Sequence, residues 1–183
     1  IYPPPGTRKT KRKPFPLETV ELQKIASRYL RFSSDKTMKI AERLYQGGLL
    51  SYPRTETNKF PDGFDLRKIV REQSQGNKPW CEHARQLDQD GKFRNPRNGN
   101  KDDKAHPPIH PTKFAQDSNF QNADEAKLYE LVVRHFLACC SDDAIGQQTT
   151  ITIEIASEIF TAWGLMVLEK NFLEVYKYVK WSG

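Results

Sequence analysis

Long apolar runs are missing from this sequence. A membrane-spanning helix needs roughly 18 consecutive apolar residues, and the longest run here, Phe136 to Cys140, stops far short. No membrane is expected among its partners. Cysteine is scarce as well. Three cysteines, two of them adjacent, cannot build the disulfide framework of a small secreted domain. A signal-peptide pattern is also lacking, because the start is proline-rich and then basic. There is no internal repeat. The chain opens on Ile1 and not on Met, which reads as a piece of a larger intracellular protein.

What is present is a polar chain of 183 residues, enough for one to two domains with a real core. Its net charge of +6 is local. The first 31 residues hold eight Lys or Arg against two Glu, and the remaining 152 residues balance to zero. A basic stretch of this kind is either a footprint for phosphate or a solvated arm.

Residues 1–16 carry five of the twelve prolines and five basic residues and read as an extended linker. Leu22, Ile25, Ala26, Tyr29 and Leu30 then form one stripe of an amphipathic helix, with Thr19 placed to cap it. A second helix is predicted over 35–46, capped by Ser33 or Ser34 and ended by Gly47-Gly48, with Met38, Ala41, Leu44 and Tyr45 inward. Leu49 to Tyr52 read as a short extended segment, because Pro53 biases Tyr52 away from helical angles. Residues 76–111 are rich in Asn, Gly, Pro and charge, with a helix expected only near 81–87 and an exposed basic loop over 94–104. A third helix starts near Asn122, which has capping-box spacing to Glu125. Leu128, Leu131, Val132, His135, Phe136 and Cys139 supply its stripe. After Asp143 the period becomes two, with Ile151, Ile153 and Ile155 on one side. A turn at Ser157-Glu158 and a returning strand over 159–168 complete a hairpin. Helices come first and strands later, so a domain boundary is expected over 141–146.

Two clusters could carry chemistry. In Ser51-Tyr52-Pro53-Arg54-Thr55-Glu56-Thr57-Asn58, residues two apart in an extended segment point the same way. Arg54 could then grip a phosphate oxygen with its planar fork while the Tyr52 oxygen attacks phosphorus. Taken alone, a Tyr-x-Arg pattern more often marks an ordinary half-buried tyrosine beside a surface arginine. In Ala105-His106-Pro107-Pro108-Ile109-His110-Pro111-Thr112, the prolines break any helix, so the two histidines cannot share a metal as an i, i+4 pair. A zinc site built from Cys81, His83, Cys139 or Cys140 lacks paired CxxC spacing. No metal ligand is assigned, and Cys139-Cys140 reads as packing.

Together these segments resemble the type IA DNA topoisomerases, in their eukaryotic topoisomerase III branch. Leu49 to Asn58 is similar to the active-site motif, and Ala105 to Thr112 to a second DNA-contacting motif. Thr19 to Gln23 and Thr37 to Tyr45 match the helices leading in, and the later helix and strand follow in order. The resemblance covers nearly the whole chain from about residue 14. It implies an α+β fold: a mostly helical domain bearing the active-site tyrosine over 14–141, with 1–13 and 142–183 as parts of a β-rich arch. The basic run Arg8 to Lys13 would then sit on the arch and is discounted as a DNA contact. It further implies that Tyr52 is the nucleophile toward single-stranded DNA and becomes joined to a 5′ phosphate. Arg54 would position the scissile phosphate, and His106, Arg54 and Thr55 would contact DNA. His110 receives no catalytic role. A free tyrosine has a pKa of about 10, so roughly one in a thousand is ionised at neutral pH and a strong local positive field is required.

The resemblance also implies Mg²⁺ held by the carboxylates of a Toprim domain, a nuclear location, and work with a RecQ-type helicase and an OB-fold scaffold protein. No matching acidic cluster stands in this sequence. Asp102-Asp103 and Asp142-Asp143 read as solvated turns or caps. The chain alone is therefore expected not to cleave DNA. Two other classes remain open on the residues themselves: a noncatalytic nucleic-acid-binding module, and a protein-interaction domain in which Tyr52 is merely structural.

Overall fold

The computed structural model describes residues 6–183, so Pro3, Pro4 and Pro5 of the expected linker lie outside the described residues. The rest of that linker is not all extended coil. Thr7–Lys11 forms β1, which pairs antiparallel with β2 (Ala144–Ile155). Strand β3 (Glu158–Glu169) pairs on the other side of β2, giving a three-stranded sheet in the order β1-β2-β3. Five helices lie between β1 and β2: α1 (Thr19–Ile25), α2 (Ser34–Gln46), α3 (Leu66–Gln73), α4 (Cys81–Gln89) and α5 (Ala123–Cys139). The fold is α+β, as expected.

Local chemistry explains most boundaries and several departures. The cap of α1 is Glu18, whose carboxylate accepts the Val20 and Glu21 N–H groups. Thr19 is thereby released for another task. After Ile25 the chain continues as a π-turn over Ala26–Leu30, which ends where Arg31 turns left-handed at φ 60°. The wider turn breaks the expected stripe. Tyr29 swings out to 43% exposure and Phe32 enters the core. In α2, Ser33 caps by accepting the Lys36 N–H, and Gly48 leaves the helix at φ 74°, a conformation that favours glycine. Met38, Ala41 and Leu44 are buried, but Tyr45 points outward and Ile40 takes its expected place inside.

Helix α5 is the hub of the core. Its residues from Leu128 to Cys139 are buried except Glu130, and even its polar members are partnered. The Asn122 side chain accepts the Glu125 N–H, but the reciprocal half of the capping box is not made. Glu125 instead accepts from Gln121 N–H and from Arg43, which ties α5 to α2. Helix α3 was not anticipated. It is short, and Asp65 caps it by accepting the Lys68 N–H.

The expected division at 142 separates residues that pack together. The sheet ends at Glu169, and Phe172, Val175, Tyr176 and Tyr178 return to the helical core, where each is buried. Lys13 does the same from the other end. It is buried, not part of an exposed basic patch, and its ammonium donates to Asn95 and Ser141 carbonyls. The hairpin turns through Ala156 and Ser157, both at positive φ, one residue before the expected turn. Ile151 opposes Ala162 and Ile153 opposes Phe160, so these apolar residues share one face of the outer hairpin, where Ile151, Ile153 and Phe160 are exposed.

One buried group sets a pH dependence. His135 is 1% exposed, between the Phe15 carbonyl at 2.8 Å and the Tyr176 hydroxyl at 2.9 Å. A carbonyl only accepts, so the proton sits on Nε2 and Nδ1 accepts from Tyr176. Burial lowers the His135 pKa from 6.5 to about 4, and burial moves His83 the same way. Neutral imidazole is therefore favoured by folding. Its stabilisation is full above pH 6.5 and is lost as pH falls toward 4. For His135 this amounts to about 3 kcal/mol. Thermal unfolding of the chain followed from pH 7.5 to 4.5 is expected to show falling stability below pH 6.5, with a shallower fall in His135→Gln. Equal slopes for the two would contradict this account.

Candidate active site

Residues 51–57 run extended with alternating burial. Ser51, Pro53, Thr55 and Thr57 are buried, while Tyr52 is half-buried and Arg54 and Glu56 are exposed. Tyr52 and Arg54 thus share the outward face. The segment joins no sheet, yet its backbone must still be hydrogen-bonded. Three neighbours provide for that.

The first is the 109–112 strip. An isolated bridge joins Leu50 to Pro111, and another joins Leu17 to Ile109. Ser51 N–H donates to the His110 carbonyl at 3.0 Å, and Thr112 N–H to the Leu49 carbonyl at 3.0 Å. The Ser51 hydroxyl accepts the His110 N–H at 2.9 Å and donates to the Pro108 carbonyl at 3.3 Å.

The second is Thr19. Its hydroxyl shares one proton between the Pro53 carbonyl at 2.7 Å and the Thr55 carbonyl at 2.9 Å. The same oxygen accepts the Thr55 N–H at 2.8 Å.

The third is the loop over 94–104, which is largely exposed as expected and also hydrogen-bonds to residues 55–58. Gly99 N–H donates to the Asn58 carbonyl, and Asn58 N–H to the Lys101 carbonyl. A side chain at Gly99 would displace the Asn58 side-chain amide, whose oxygen accepts the Lys101 N–H.

This frame sets the His106 ring against the Tyr52 ring, with centroids 4.4 Å apart. The Tyr45 ring meets Tyr52 edge-on at 5.3 Å. Arg54 Nε donates to Glu42 Oε1 at 2.6 Å. Glu42 and Tyr45 stand three residues apart on one side of α2, so this helix frames the site from below. An open cleft of about 310 Å³ continues beside His106, lined by Lys59, Phe60 and Lys104.

The structure therefore brings Tyr52, Arg54 and His106 to one surface. Thr55 is placed differently from expectation. It is 4% exposed, its N–H is bound by Thr19, and its hydroxyl donates to Asp103 at 2.8 Å, so it faces the interior and not a bound strand. His110 is buried, donates from Nδ1 to the Pro108 carbonyl, and packs against Phe60 and Phe64. Burial lowers its pKa. Asp103 is exposed and caps its own turn, as expected, but it also accepts the Thr55 hydroxyl. Tyr45, Glu42, Thr19 and Asp103 were all missed as neighbours of the site. The i, i+3 spacing of Glu42 and Tyr45 and the Asp103-x-x-His106 spacing of an Asx-type turn were the available signals.

The carboxylates here do not suit Mg²⁺. Glu42 is paired with Arg54, Asp102 with Lys59 and Lys104, and Asp103 with hydroxyl and amide donors. Among the described residues no group of three or more His, Cys, Asp or Glu is placed to hold a metal ion.

Residues 6–183 match the DNA topoisomerase family, and the chain belongs to that family, the type IA DNA topoisomerases. Within it the chain is topoisomerase III-like. It is 54% identical to DNA topoisomerase 3-alpha of Drosophila melanogaster, over 96% of this chain and 14% of that protein. It is 53% identical to the Homo sapiens protein of the same name, over 95% of this chain and 17% of that protein. For the Arabidopsis thaliana protein the identity is 52%, over 93% of this chain and 18% of that protein. The chain thus spans less than a fifth of the length of these relatives. The fold is similar to that of full-length topoisomerase I from Thermotoga maritima, with a TM-score of 0.73 at 24% identity over 97% of this chain and 29% of that one.

The Thr19 clamp generates a test. Thr19→Val removes both the donor and the acceptor that hold Pro53 and Thr55. Amide hydrogen exchange at Thr55 is expected to speed up about tenfold, since a lost hydrogen bond costs about 1–1.5 kcal/mol. Unchanged exchange at Thr55 would show that the clamp does not hold the segment.

Proposed function

We propose that, in the topoisomerase to which this chain belongs, Tyr52 breaks and rejoins single-stranded DNA. The Tyr52 oxygen attacks a backbone phosphorus, the bond from phosphorus to the 3′ oxygen breaks, and a 5′-phosphotyrosine link remains beside a free 3′ hydroxyl. The tyrosine proton leaves, and a proton reaches the departing 3′ oxygen. Reversal restores the strand. The phosphodiester energy is kept in the covalent link, so resealing needs no ATP.

The observation that carries this reading is the shared outward face of Tyr52 and Arg54, with the His106 ring against the tyrosine. A scissile phosphate lying over Tyr52 comes within reach of the Arg54 guanidinium, whose fork donates to two oxygens and offsets charge that grows in the transition state. To do this Arg54 exchanges its Glu42 partner for the phosphate. Both side chains are substantially exposed, at 55% and 37%, so their pairing is weak and readily exchanged. His106 contacts the backbone next to the break, and the cleft with Lys59 and Lys104 receives the strand beyond it. Asp102 and Asp103 are engaged with other donors here, so the Mg²⁺ of the full enzyme would be held elsewhere, by the carboxylates of a Toprim domain. For the same reason we propose that the chain by itself does not cleave.

The test is covalent trapping. A full-length enzyme carrying this sequence is mixed with end-labelled single-stranded DNA and Mg²⁺, then denatured. An adduct is expected with wild type and none with Tyr52→Phe. Arg54→Ala is expected to cleave roughly 100-fold more slowly, the usual cost of losing one transition-state donor. The isolated chain is expected to give no adduct. An undiminished adduct with Tyr52→Phe would overturn the proposal.

A further inference from the structure

Tyr52 and His106 stand 54 residues apart, and neither lies in a helix or a strand ladder. A ring contact between two such segments must be held by something outside both rings. On the C-terminal side of His106 the holder is Ser51, whose hydroxyl accepts the His110 N–H. On the N-terminal side it is Asp103.

We propose that Asp103 is a positioning residue for the reaction, fastening the turn that carries His106 to the segment that carries Tyr52. The inference rests on the reading of Tyr52 as nucleophile. One carboxylate oxygen of Asp103 accepts the Ala105 and His106 N–H groups, each at 2.9 Å, and so shapes the turn into His106. The other accepts the Thr55 hydroxyl at 2.8 Å. The Asp103 N–H donates to the Thr57 hydroxyl at 3.0 Å. Thr55 Oγ1 in turn accepts the Thr57 N–H at 3.0 Å, so the two threonines and the aspartate form one network.

An aspartate that merely capped its own turn would bond only the backbone just after it. This one takes a hydroxyl from across the site as well. Together with Ser51 it closes a ring. Residues 51 and 55 bracket Tyr52, residues 103 and 110 bracket His106, and hydrogen bonds join the two pairs at both ends. The Asp103 carboxylate bonds the turn at His106 and the Thr55 hydroxyl, so it acts through those two residues. Both of its oxygens face donors, and those hydrogen bonds, the His106 and Ala105 N–H groups first, hold its pKa well below the usual carboxylate range, so Asp103 stays an ionised acceptor for all of them.

The substitutions distinguish this role from general stabilisation. Asp103→Asn keeps an acceptor for the two backbone N–H groups but turns an amide N–H₂ toward Thr55. Asp103→Ala loses both. Thr55→Val removes the partner on the far side. In a full-length enzyme carrying this sequence, single-turnover cleavage of single-stranded DNA is expected to slow about 30-fold in Asp103→Ala, with the asparagine variant recovering part of the rate. Binding of the same oligonucleotide is expected to change far less than the cleavage rate, because Asp103 donates nothing to phosphate. Asp103→Ala and Thr55→Val combined are expected to slow cleavage no more than the worse single change, since both cut the same link.

A spectroscopic readout stands beside the rates. The His106 ring protons, held against the Tyr52 ring, are expected to shift toward bulk histidine values in Asp103→Ala and less so in Asp103→Asn. Should Asp103→Ala fail to fold, Asp103→Asn and Thr55→Val carry the same measurements. Wild-type cleavage rates in both Asp103 variants, or multiplicative losses in the double variant, would overturn the proposal. Tyr52→Phe run in parallel separates the two readings. An adduct with Tyr52→Phe sinks the nucleophile assignment. Loss of the adduct there, with Asp103→Ala unaffected, sinks the positioning role alone.

Discussion

An extended backbone that joins no sheet must have its N–H and C=O groups satisfied by something else, and the segment around Tyr52 is built on that constraint. Its partners come from three places in the sequence: Thr19 at the start of α1, the strip around His110, and the loop near Lys101. Each partner uses short hydroxyl or backbone groups that reach from fixed positions. The result is a rigid presentation of two side chains, Tyr52 and Arg54, toward the outside. A tyrosine nucleophile benefits from such rigidity, since aligned reacting atoms remove much of the entropic barrier to attack.

The core is arranged to support this frame. Helix α5 is buried nearly all round, and α2 is bound to it through Arg43 and Glu125. That bond fixes the helix whose outer face carries Glu42 and Tyr45. Phe60 and Phe136 pack around the ring of His110, whose own backbone is bonded to Ser51. The site is therefore loop in its reactive atoms and core in its backing. Lys13, buried against the Ser141 and Asn95 carbonyls, locks the first strand to the end of α5 in the same way.

Much of this was legible in the residues, and the misses share a cause. Helices α2 and α5 declare themselves through long apolar stripes with caps at Ser33 and Asn122. The hairpin declares itself through the alternation from Thr150 to Ile155. The segment around Tyr52 is marked extended by Pro53 and by alternating small polar residues. What one sequence does not display is which distant group will satisfy a backbone. Thr19 looks like a cap because Glu18 beside it is the rarer choice, and Thr55 looks like a surface contact because its partner Asp103 lies 48 residues away. The π-turn after Ile25 is likewise invisible to a stripe of period 3.6, and it displaces Tyr29. The residues returning from Phe172 were assigned to the sheet because no strong period marks them, whereas their aromatic rings are drawn into the core beside α5.

Two tyrosines touch at this site, and the account depends on which one reacts. Tyr52 shares its face with Arg54 and meets His106, while Tyr45 projects from α2 and is 43% exposed. The decisive measurement is peptide mapping by tandem mass spectrometry of the covalent complex formed by a full-length enzyme with single-stranded DNA. The account predicts a nucleotide joined through its 5′ phosphate to Tyr52. A nucleotide on Tyr45, or a link through a 3′ phosphate, would contradict it.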